Sequence, residues 1–236
     1  MDAISGRQAG DASGAGAAAM RWATIDELER LVPLPAGYGY EQLTRADVPE
    51  LIAAIARWHP DIRVGAGSPY LRPAFYDEKV TLAGEAERDT FAVVFRHGGR
   101  MVGLWSWDRE PEALTIYGRL LVIDPAHRGA KLAASVMLGT ERLARHCGAE
   151  FMYVMSTLKM PQMAQALERA GYILLGFLPG YDREVVADGT VKRVFEAVYA
   201  KVLVPPSALL RPDPQNLTPR ARSLFEQMFG GANAAH

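Results

Sequence analysis

The feature that most constrains the fold is the junction at residues 120–133, where an apolar segment passes through a turn into an amphipathic helix. The segment reads LLVIDPAHRGAKLA. Leu120–Ile123 is predicted to be a strand and Asp124-Pro125 a turn, and apolar residues then recur at a period close to 3.6 over Leu132–Cys147. Because no Ser, Thr, Asp or Asn stands directly at the helix start, its first N–H groups are predicted to stay free for an anionic ligand such as phosphate.

Composition excludes several classes of protein. The 236 residues are 49% hydrophobic and 22% charged, enough for one sizeable core. The formal net charge of −1 argues against nucleic-acid binding, and no apolar run reaches the ~18–20 residues of a membrane span. The single cysteine, Cys147, cannot form an internal disulfide and lies on an apolar helix stripe, which predicts a buried thiol in a cytoplasmic protein. We expect no metal site.

The chain divides into four segments. Residues 1–20, rich in Ala and Gly, are interpreted as a disordered lead, and residues 21–36 as an accessory arm with a short helix. Residues 37–203 are predicted to form one mixed α/β domain, with about seven strands in a central sheet and flanking helices. Residues 204–236 form a Pro-rich tail with a short helix that begins at Thr218-Pro219. The apolar stripe of this helix either packs on its own domain or contacts a second copy in a homodimer.

Within the domain, periodicity and turn residues predict the element order. Thr44 with Asp47 is predicted to cap the first helix of the domain, and His97-Gly98-Gly99 to close a tight hairpin. The predicted strands are 37–43, 90–96, 100–108, 114–123, 151–157, 172–178 and 191–203. Helices are expected at 74–82 and 160–170, a loop at 59–73, and one β-helix-β crossover at the junction.

The junction resembles the acyl-coenzyme A binding motif of the GNAT acetyltransferase superfamily, in which a strand ending L-x-V-x-P precedes R-G-x-G-x-G/A. Lys131 stands where the family has its middle glycine, and Gly171-Tyr172 is similar to the family's closing Gly-aromatic pair. The resemblance covers roughly residues 39–203. The matching residues of the strand, turn and loop are Leu121, Ile123, Pro125, Arg128, Gly129 and Ala133.

This resemblance implies a GNAT-like fold and an N-acetyltransferase that uses acetyl-coenzyme A (acetyl-CoA), or another acyl-CoA, as co-substrate. Direct transfer to a small amine or amino-acid-like acceptor follows from it. The strand before the loop and the next strand would splay apart to hold the pantetheine arm, with a backbone N–H at Leu121 or Val122 as oxyanion donor. The implied coenzyme-binding residues are Leu121, Val122, Ile123, Arg128, Gly129, Ala130, Lys131, Leu132 and Ala133.

Three departures from the family pattern shape the catalytic assignment. Leu167 replaces the frequent general-acid tyrosine, Met160 replaces an asparagine that bonds the pantetheine, and Arg119 replaces a carboxylate base. The candidates for the missing roles are Tyr153 and Ser156, as proton donors to the thiolate, and His59, as base for the amine. The alternatives are that Tyr153 packs in the core, that water protonates the thiolate and that His59 is solvated.

The acceptor pocket is predicted from strand alternation. Tyr117 and Arg119 share one strand face, as do two tryptophans on the neighbouring strand, so aromatic residues beside an arginine would bind an anionic group. Tyr181, in the connection before the last strand, would cover the substrate, with Asp182 and Glu184 supplying negative charge for an ammonium group. The alternative is sheet-packing aromatics beside a surface arginine.

Two further questions stay open at this stage. Lys131 either crowds the loop or, on the first helical turn, points outward and adds a positive charge for phosphate. The apolar replacements at Met160 and Leu167 also admit a transferase for longer acyl chains, and the missing tyrosine and carboxylate admit a sensor that binds acyl-CoA without turnover.

Overall fold

A central sheet organises the molecule, whose computed structural model describes residues 20–230. The strands are β1 Tyr38–Gln42, β2 Val80–Thr81, β3 Thr90–His97, β4 Arg100–Glu110, β5 Thr115–Ile123, β6 Phe151–Thr157, β7 Ile173–Val185 and β8 Val191–Val202. The helices are α1 Ile25–Leu31, α2 Val48–Trp58, α3 Pro73–Lys79, α4 Leu132–His146, α5 Pro161–Arg169 and α6 Pro219–Phe229. None of these described helices is long and apolar enough to cross a bilayer.

The strand order confirms the predicted mixed α/β architecture. Within the described residues the sheet has eight strands in the order β1-β3-β4-β5-β6-β8-β7, with β2 paired to β3. The strand beyond the predicted seven is β2, which is only two residues long. β5 and β6 are parallel and α4 connects them, as expected for a β-helix-β crossover.

Helices cover both faces of the sheet, which we call the α4 face and the α2 face. The α4 face is packed by α1, α4 and α5, and its core contains the buried side chains of Leu28, Val136, Leu143 and Leu167. The α2 face is packed by α2 and α3, with Leu51, Ile55 and Tyr76 in its core. Cys147 is 2% exposed in the α4-face core, and burial raises the pKa of its thiol to about 11. The predicted buried thiol is confirmed.

Several local signals act as the sequence predicts. Thr44 and Asp47 form a reciprocal capping box, although its first turn is a 3-10 turn at Arg45–Asp47 that leads into α2. Gly98 and Gly99 both adopt positive φ, at 56° and 75°, which allows the tight hairpin between β3 and β4.

Other boundaries differ from the prediction. β7 does not end at residue 178 but continues to Val185, so the predicted connection around Tyr181 is part of a strand. The register of β7 against β8 shifts between Leu178 and Asp182, and the Pro179-Gly180 pair inside this irregularity looks like a strand end in the sequence. α3 stops at Lys79 because Val80 and Thr81 pair with β3. The predicted loop 59–73 contains two 3-10 turns.

The described residues at the two ends of the chain differ in how they pack. The lead predicted for residues 1–20 falls outside the described residues except for Met20, which is buried. In the tail, Thr218 caps α6 by accepting a hydrogen bond from the Ala221 N–H, as its position before Pro219 predicts. No described α6 residue joins either core, and Leu224 is 55% exposed. Packing of this helix on its own domain is therefore not observed, and the homodimer contact stays a prediction.

The contact between α4 and the end of α1 generates a test of the packing. Gly→Ala in a helix normally stabilises by about 1 kcal/mol, but a Cβ at Gly139 would lie 2.6 Å from Val32 Cγ1 and 2.8 Å from Cγ2. Val32 is fully buried and cannot move aside. We expect Gly139→Ala to lower the free energy of unfolding by about 1–2 kcal/mol through overpacking, measured by urea denaturation.

The control for this prediction is a double-mutant cycle. In a Val32→Ala background, the added methyl group at residue 139 fills the space that the valine vacates, so the Gly139→Ala step should become neutral or stabilising. The same loss in both backgrounds would mean that Val32 is not the constraint.

Candidate active site

The groove between β5 and β6 is the central feature of the site. The two strands pair only over Thr115–Gly118 and Phe151–Val154. Beyond these residues β5 stays paired with β4 up to Ile123, and β6 stays paired with β8 up to Thr157. Over the described residues no strand fills the space between them, so the facing backbone groups are free for a ligand. This is the divergence that the sequence resemblance implies.

One end of the groove meets the start of α4. Pro125–Ala130 form a 3-10 turn that is stabilised by a hydrogen bond from the Ala126 N–H to the Asp124 carboxylate, 2.9 Å. α4 then begins at Leu132 with no side-chain cap, as predicted. Its first N–H groups have no helical partner and the positive end of the helix dipole lies there, which is suited to an anion.

The backbone conformation of Lys131 explains why the family pattern has a glycine at this position. Lys131 lies just before α4 rather than in its first turn, with φ 62° and ψ 16°. This left-handed conformation is costly for a residue with a Cβ and free for glycine. The side chain is exposed, so it does not crowd the loop. Its ammonium group is available as a charge beside the helix start.

Arg128 ties the loop to the rest of the site. Its Nε donates to the Ile123 carbonyl at 3.3 Å, and its Nη2 donates to the Trp58 carbonyl at 3.2 Å. The arginine therefore links the end of β5 to the end of α2. Leu132 is buried and offers only its backbone, whereas Gly129 is exposed and a Cβ added there would meet nothing within 4 Å.

On the α2 face, beside the point where β5 and β6 separate, a cleft of about 1010 Å³ lies between α3 and strands β4 to β6. The rings of Tyr117 and Tyr153 stack there, with centroids 4.8 Å apart and an interplanar angle of 17°. Burial first, and then the nearby Tyr181, raise the pKa of the Tyr117 hydroxyl above its usual range. The irregularity in β7 thus brings Tyr181 beside the two stacked rings, and the predicted pocket residues do come together.

Arg119 sits in a bulge of β5. Gly118 pairs with Trp107 of β4 and Leu120 pairs with Ser106, so Arg119 has no residue opposite. Its Nη1 donates to Asp108 Oδ2 at 2.5 Å, and its guanidinium carbon lies 5.5 Å from the centre of the Phe75 ring. Its Nε is buried without a hydrogen-bond partner. Asp108 therefore balances the charge, and the Nε–H is left without a partner.

The two tryptophans predicted to flank this pocket lie elsewhere. Trp105 and Trp107 are buried in the core of the α4 face, with ring centroids 3.8 Å apart. The prediction of a tryptophan-lined pocket is wrong, because Asp108 is the β4 residue opposite Tyr117 and its neighbour Trp107 must point to the other face.

The three predicted catalytic residues occupy separate places. Tyr153 faces the cleft, and its hydroxyl donates to Glu110 Oε1 at 2.8 Å. Ser156 is 2% exposed and lies opposite Ala197, on the α4 face. His59 ends α2, and burial is the main cause that lowers the pKa of its imidazole. The three side chains therefore form no direct relay.

Sequence reasoning missed one further ionisable residue at the groove. Glu196 lies opposite Thr157 on the α2 face, at the open end of the groove, and is only 6% exposed. Burial, and then Asp182 and Glu184, raise the pKa of its carboxyl group to about 7. Strand alternation in the sequence would bury the apolar Phe195 and expose Glu196. The structure shows the reverse, with Phe195 56% exposed.

Comparison with known proteins agrees with this geometry. The sequence profile described as the acetyltransferase (GNAT) family matches residues 52–172, which is about half of the chain. The chain belongs to the GNAT acetyltransferase family. No curated protein matches the sequence.

Solved structures of GNAT proteins share the fold. One is a protein provisionally identified as a phosphinothricin N-acetyltransferase, with 19% identity and a TM-score of 0.54 over 71% of this chain and 99% of that chain. Another is the dodecameric spermidine N-acetyltransferase of Vibrio cholerae, with 12% identity and a TM-score of 0.56 over 71% of this chain and 95% of that chain. At these identities the likeness concerns the fold alone.

The backbone of Lys131 leads to a prediction for this GNAT member. The left-handed conformation of a non-glycine residue destabilises the folded state by roughly 1–2 kcal/mol. Replacement by glycine removes this strain, but it also increases the conformational entropy of the unfolded chain, which offsets part of the gain. Lys131→Gly should therefore raise the free energy of unfolding by about 0.5–1 kcal/mol, measured by urea denaturation. Ala130→Gly, one residue earlier and without positive φ, should instead lower it.

Proposed function

We propose that this protein is an acetyl-CoA dependent N-acetyltransferase that transfers the acyl group directly to a small amine or amino-acid-like acceptor. The observation that carries the proposal is the groove between β5 and β6. It begins at the uncapped start of α4 and opens on the opposite face into an aromatic, charged cleft. A thioester in the groove and an amine in the cleft would meet where the strands diverge.

The coenzyme would be held mostly by backbone groups. The first-turn amides from Leu132 and Ala133, with the Lys131 ammonium, suit the pyrophosphate. The unpaired edge of β5 over Leu121–Ile123 suits the pantetheine arm, which can add along a strand edge through main-chain hydrogen bonds. A backbone N–H at Leu121 or Val122 is the donor for the oxyanion that forms on the thioester carbonyl.

The acceptor would lie in the cleft between two charged regions. Tyr117 and Tyr181 supply apolar walls, and the unpaired Nε of Arg119 supplies a donor for a carboxylate. The carboxylates of Asp182, Glu184 and Glu196 provide negative potential at the open end of the groove. This combination favours an amino-acid-like acceptor.

Protonation of the leaving thiolate does not require a dedicated acid here. Leu167, at the family's tyrosine position, is fully buried in the core. The Tyr153 hydroxyl is held by Glu110, and the Ser156 hydroxyl makes only a long bond of 3.4 Å to the Thr157 carbonyl. Tyr153 faces the cleft and can donate, whereas Ser156 is buried on the α4 face. Water can replace Tyr153 because the cleft is open.

A second candidate function is transfer of longer acyl chains. Leu158 and Met160, which follow the end of β6 where it diverges from β5, are 49% and 58% exposed. An acyl chain leaving the groove at this end would cover them. Acyl-CoA substrates of increasing chain length separate this candidate from acetyl transfer, and a sensor role would show as binding with no turnover of any acyl-CoA.

The test of coenzyme binding uses Gly129. Acetyl-CoA at about 100 times its Kd should stabilise the wild-type protein by about 2.7 kcal/mol, visible as a rise in Tm. Gly129→Val should lose this shift, because its side chain occupies the space beside the helix start, yet should keep the Tm of the free protein since the site is open. Gly129→Ala is the milder control.

The same samples test turnover, by thiol release over a panel of amines. No thermal shift and no measurable heat of binding with millimolar acetyl-CoA would contradict the proposal. Binding without thiol release from any amine would favour the sensor.

Arg119 supplies the test of the acceptor. Loss of a charged hydrogen bond worth about 1.5–3 kcal/mol should raise KM for amines that carry a carboxylate by about tenfold or more. KM for neutral amines should change little. Because Arg119→Ala would strand the Asp108 carboxylate, the matched variant is Arg119→Ala with Asp108→Asn. Equal effects on both classes of amine would assign Arg119 a structural role.

A further inference from the structure

Glu196 is a buried carboxylate with no partner. Glu196 is only 6% exposed, and among the described residues its side chain makes no hydrogen bond and no ion pair. Burying an uncompensated charge is unfavourable, so such a group is expected to be neutral or to bind a cation.

The surrounding charges do not neutralise it. The nearest cation, Lys159, lies 2.7 Å from Glu184 Oε2 and 3.0 Å from Asp61 Oδ2, so it is already shared by two carboxylates. Asp182 accepts backbone hydrogen bonds from Ala66 and from its own neighbour in β7, which bring no positive charge. The pocket therefore has more carboxylates than cations and suits a ligand with positive charge.

The position of Glu196 relates it to the reaction. It lies opposite Thr157, on the α2 face and at the open end of the groove, where β6 has separated from β5. The family's usual carboxylate position on the strand before the loop holds Arg119, which remains protonated at neutral pH. A base is therefore needed from another element, and β8 presents one.

We propose that Glu196 binds the ammonium group of the acceptor and takes a proton from it before acyl transfer. This inference rests on the proposed function, and it adds a catalytic residue on β8 that replaces the missing carboxylate on β5. Asp182 and Glu184 act as its electrostatic support.

The ammonium group transfers one proton to the Glu196 carboxylate and becomes a neutral amine. The amine lone pair attacks the thioester carbonyl carbon, a C–N bond forms, and the C–S bond breaks with its electron pair leaving on sulfur. The second proton of the attacking nitrogen goes to the thiolate, giving the amide and free coenzyme A. Glu196 then releases its proton to solvent.

The electrostatics of the pocket agree with this role. A pKa of about 7 for the Glu196 carboxyl places its proton affinity close to that of a useful base near neutral pH. The charged groups that act on it are Asp182 and Glu184 from β7 and Lys159 after β6, and the last two of these also act on His59, the residue that follows α2. His59 is the weaker candidate, because burial lowers the pKa of its imidazole and Arg128 and Lys159 lie close to it.

The experiment compares Glu196→Gln with wild type in full pH profiles of kcat/KM, using the amine that gives the highest rate. We expect wild-type activity to rise through an apparent pKa of about 7 and the variant to be about 10²-fold slower at pH 7.5. The variant should lose the rise in kcat/KM near pH 7. Its rate should increase only at the higher pH at which the ammonium group of the acceptor loses its proton in solution. Glu150→Gln, the same change at an exposed residue away from the groove, is the control.

A second measurement follows the unliganded protein. Glu196 has its pKa raised on folding, so its contribution to stability is present below the unfolded pKa and is lost as the pH rises towards 7. Glu196→Gln should therefore have a higher Tm than wild type at pH 8, with a smaller difference at pH 5. An amine acceptor should raise the Tm of wild type at pH 8 more than that of the variant.

The outcomes distinguish this inference from the proposed function. If acetyl-CoA shifts the Tm of both proteins and their pH profiles coincide, Glu196 is not the base and the inference fails while the acetyltransferase stands. If His59→Gln, and not Glu196→Gln, removes the limb near pH 7, the base is His59. If acetyl-CoA shifts neither protein, it is the proposed function that fails.

Discussion

The rest of the site depends on where the hydrogen bonds between β5 and β6 stop. After Gly118 and Val154 each strand keeps only its outer neighbour, β4 on one side and β8 on the other. The right-handed twist of the sheet then carries the two unpaired edges apart. Unpaired backbone in the middle of a sheet is costly unless water or a ligand satisfies it, so the divergence is itself an argument for binding. The bulge at Arg119 begins at the same point and turns its guanidinium into the cleft.

The groove joins two chemically different faces. On the α4 side it reaches backbone amides and the exposed Lys131 and Arg128, which suit an anion. On the α2 side it reaches stacked tyrosines, an arginine paired with Asp108 and a group of carboxylates. Under the proposed function, the phosphate-rich acyl donor and the ammonium group of the acceptor would each be attracted to a different face.

Local patterns predicted much of this correctly. The 3.6 period of α4, the capping box at Thr44 and the glycine pair of the β3–β4 hairpin depend on residues close in sequence, and the structure confirms all three. The end of β7 was predicted wrongly because Pro179 and Gly180 in a strand irregularity have the same composition as a turn. The tryptophan pocket was wrong because alternation within one strand does not say which face is the core.

By itself the sequence determined the order of elements, the uncapped start of α4 and the family resemblance, since each rests on short-range periodicity or a contiguous motif. Only the tertiary structure decided the charges of the site. The partner of Arg119 is Asp108 on another strand. Glu196 is buried beside an exposed Phe195, and its charged neighbours Asp182 and Glu184 come from β7. A side chain's protonation depends on the dielectric and the charges within a few ångströms, and those neighbours are set by folding rather than by sequence distance.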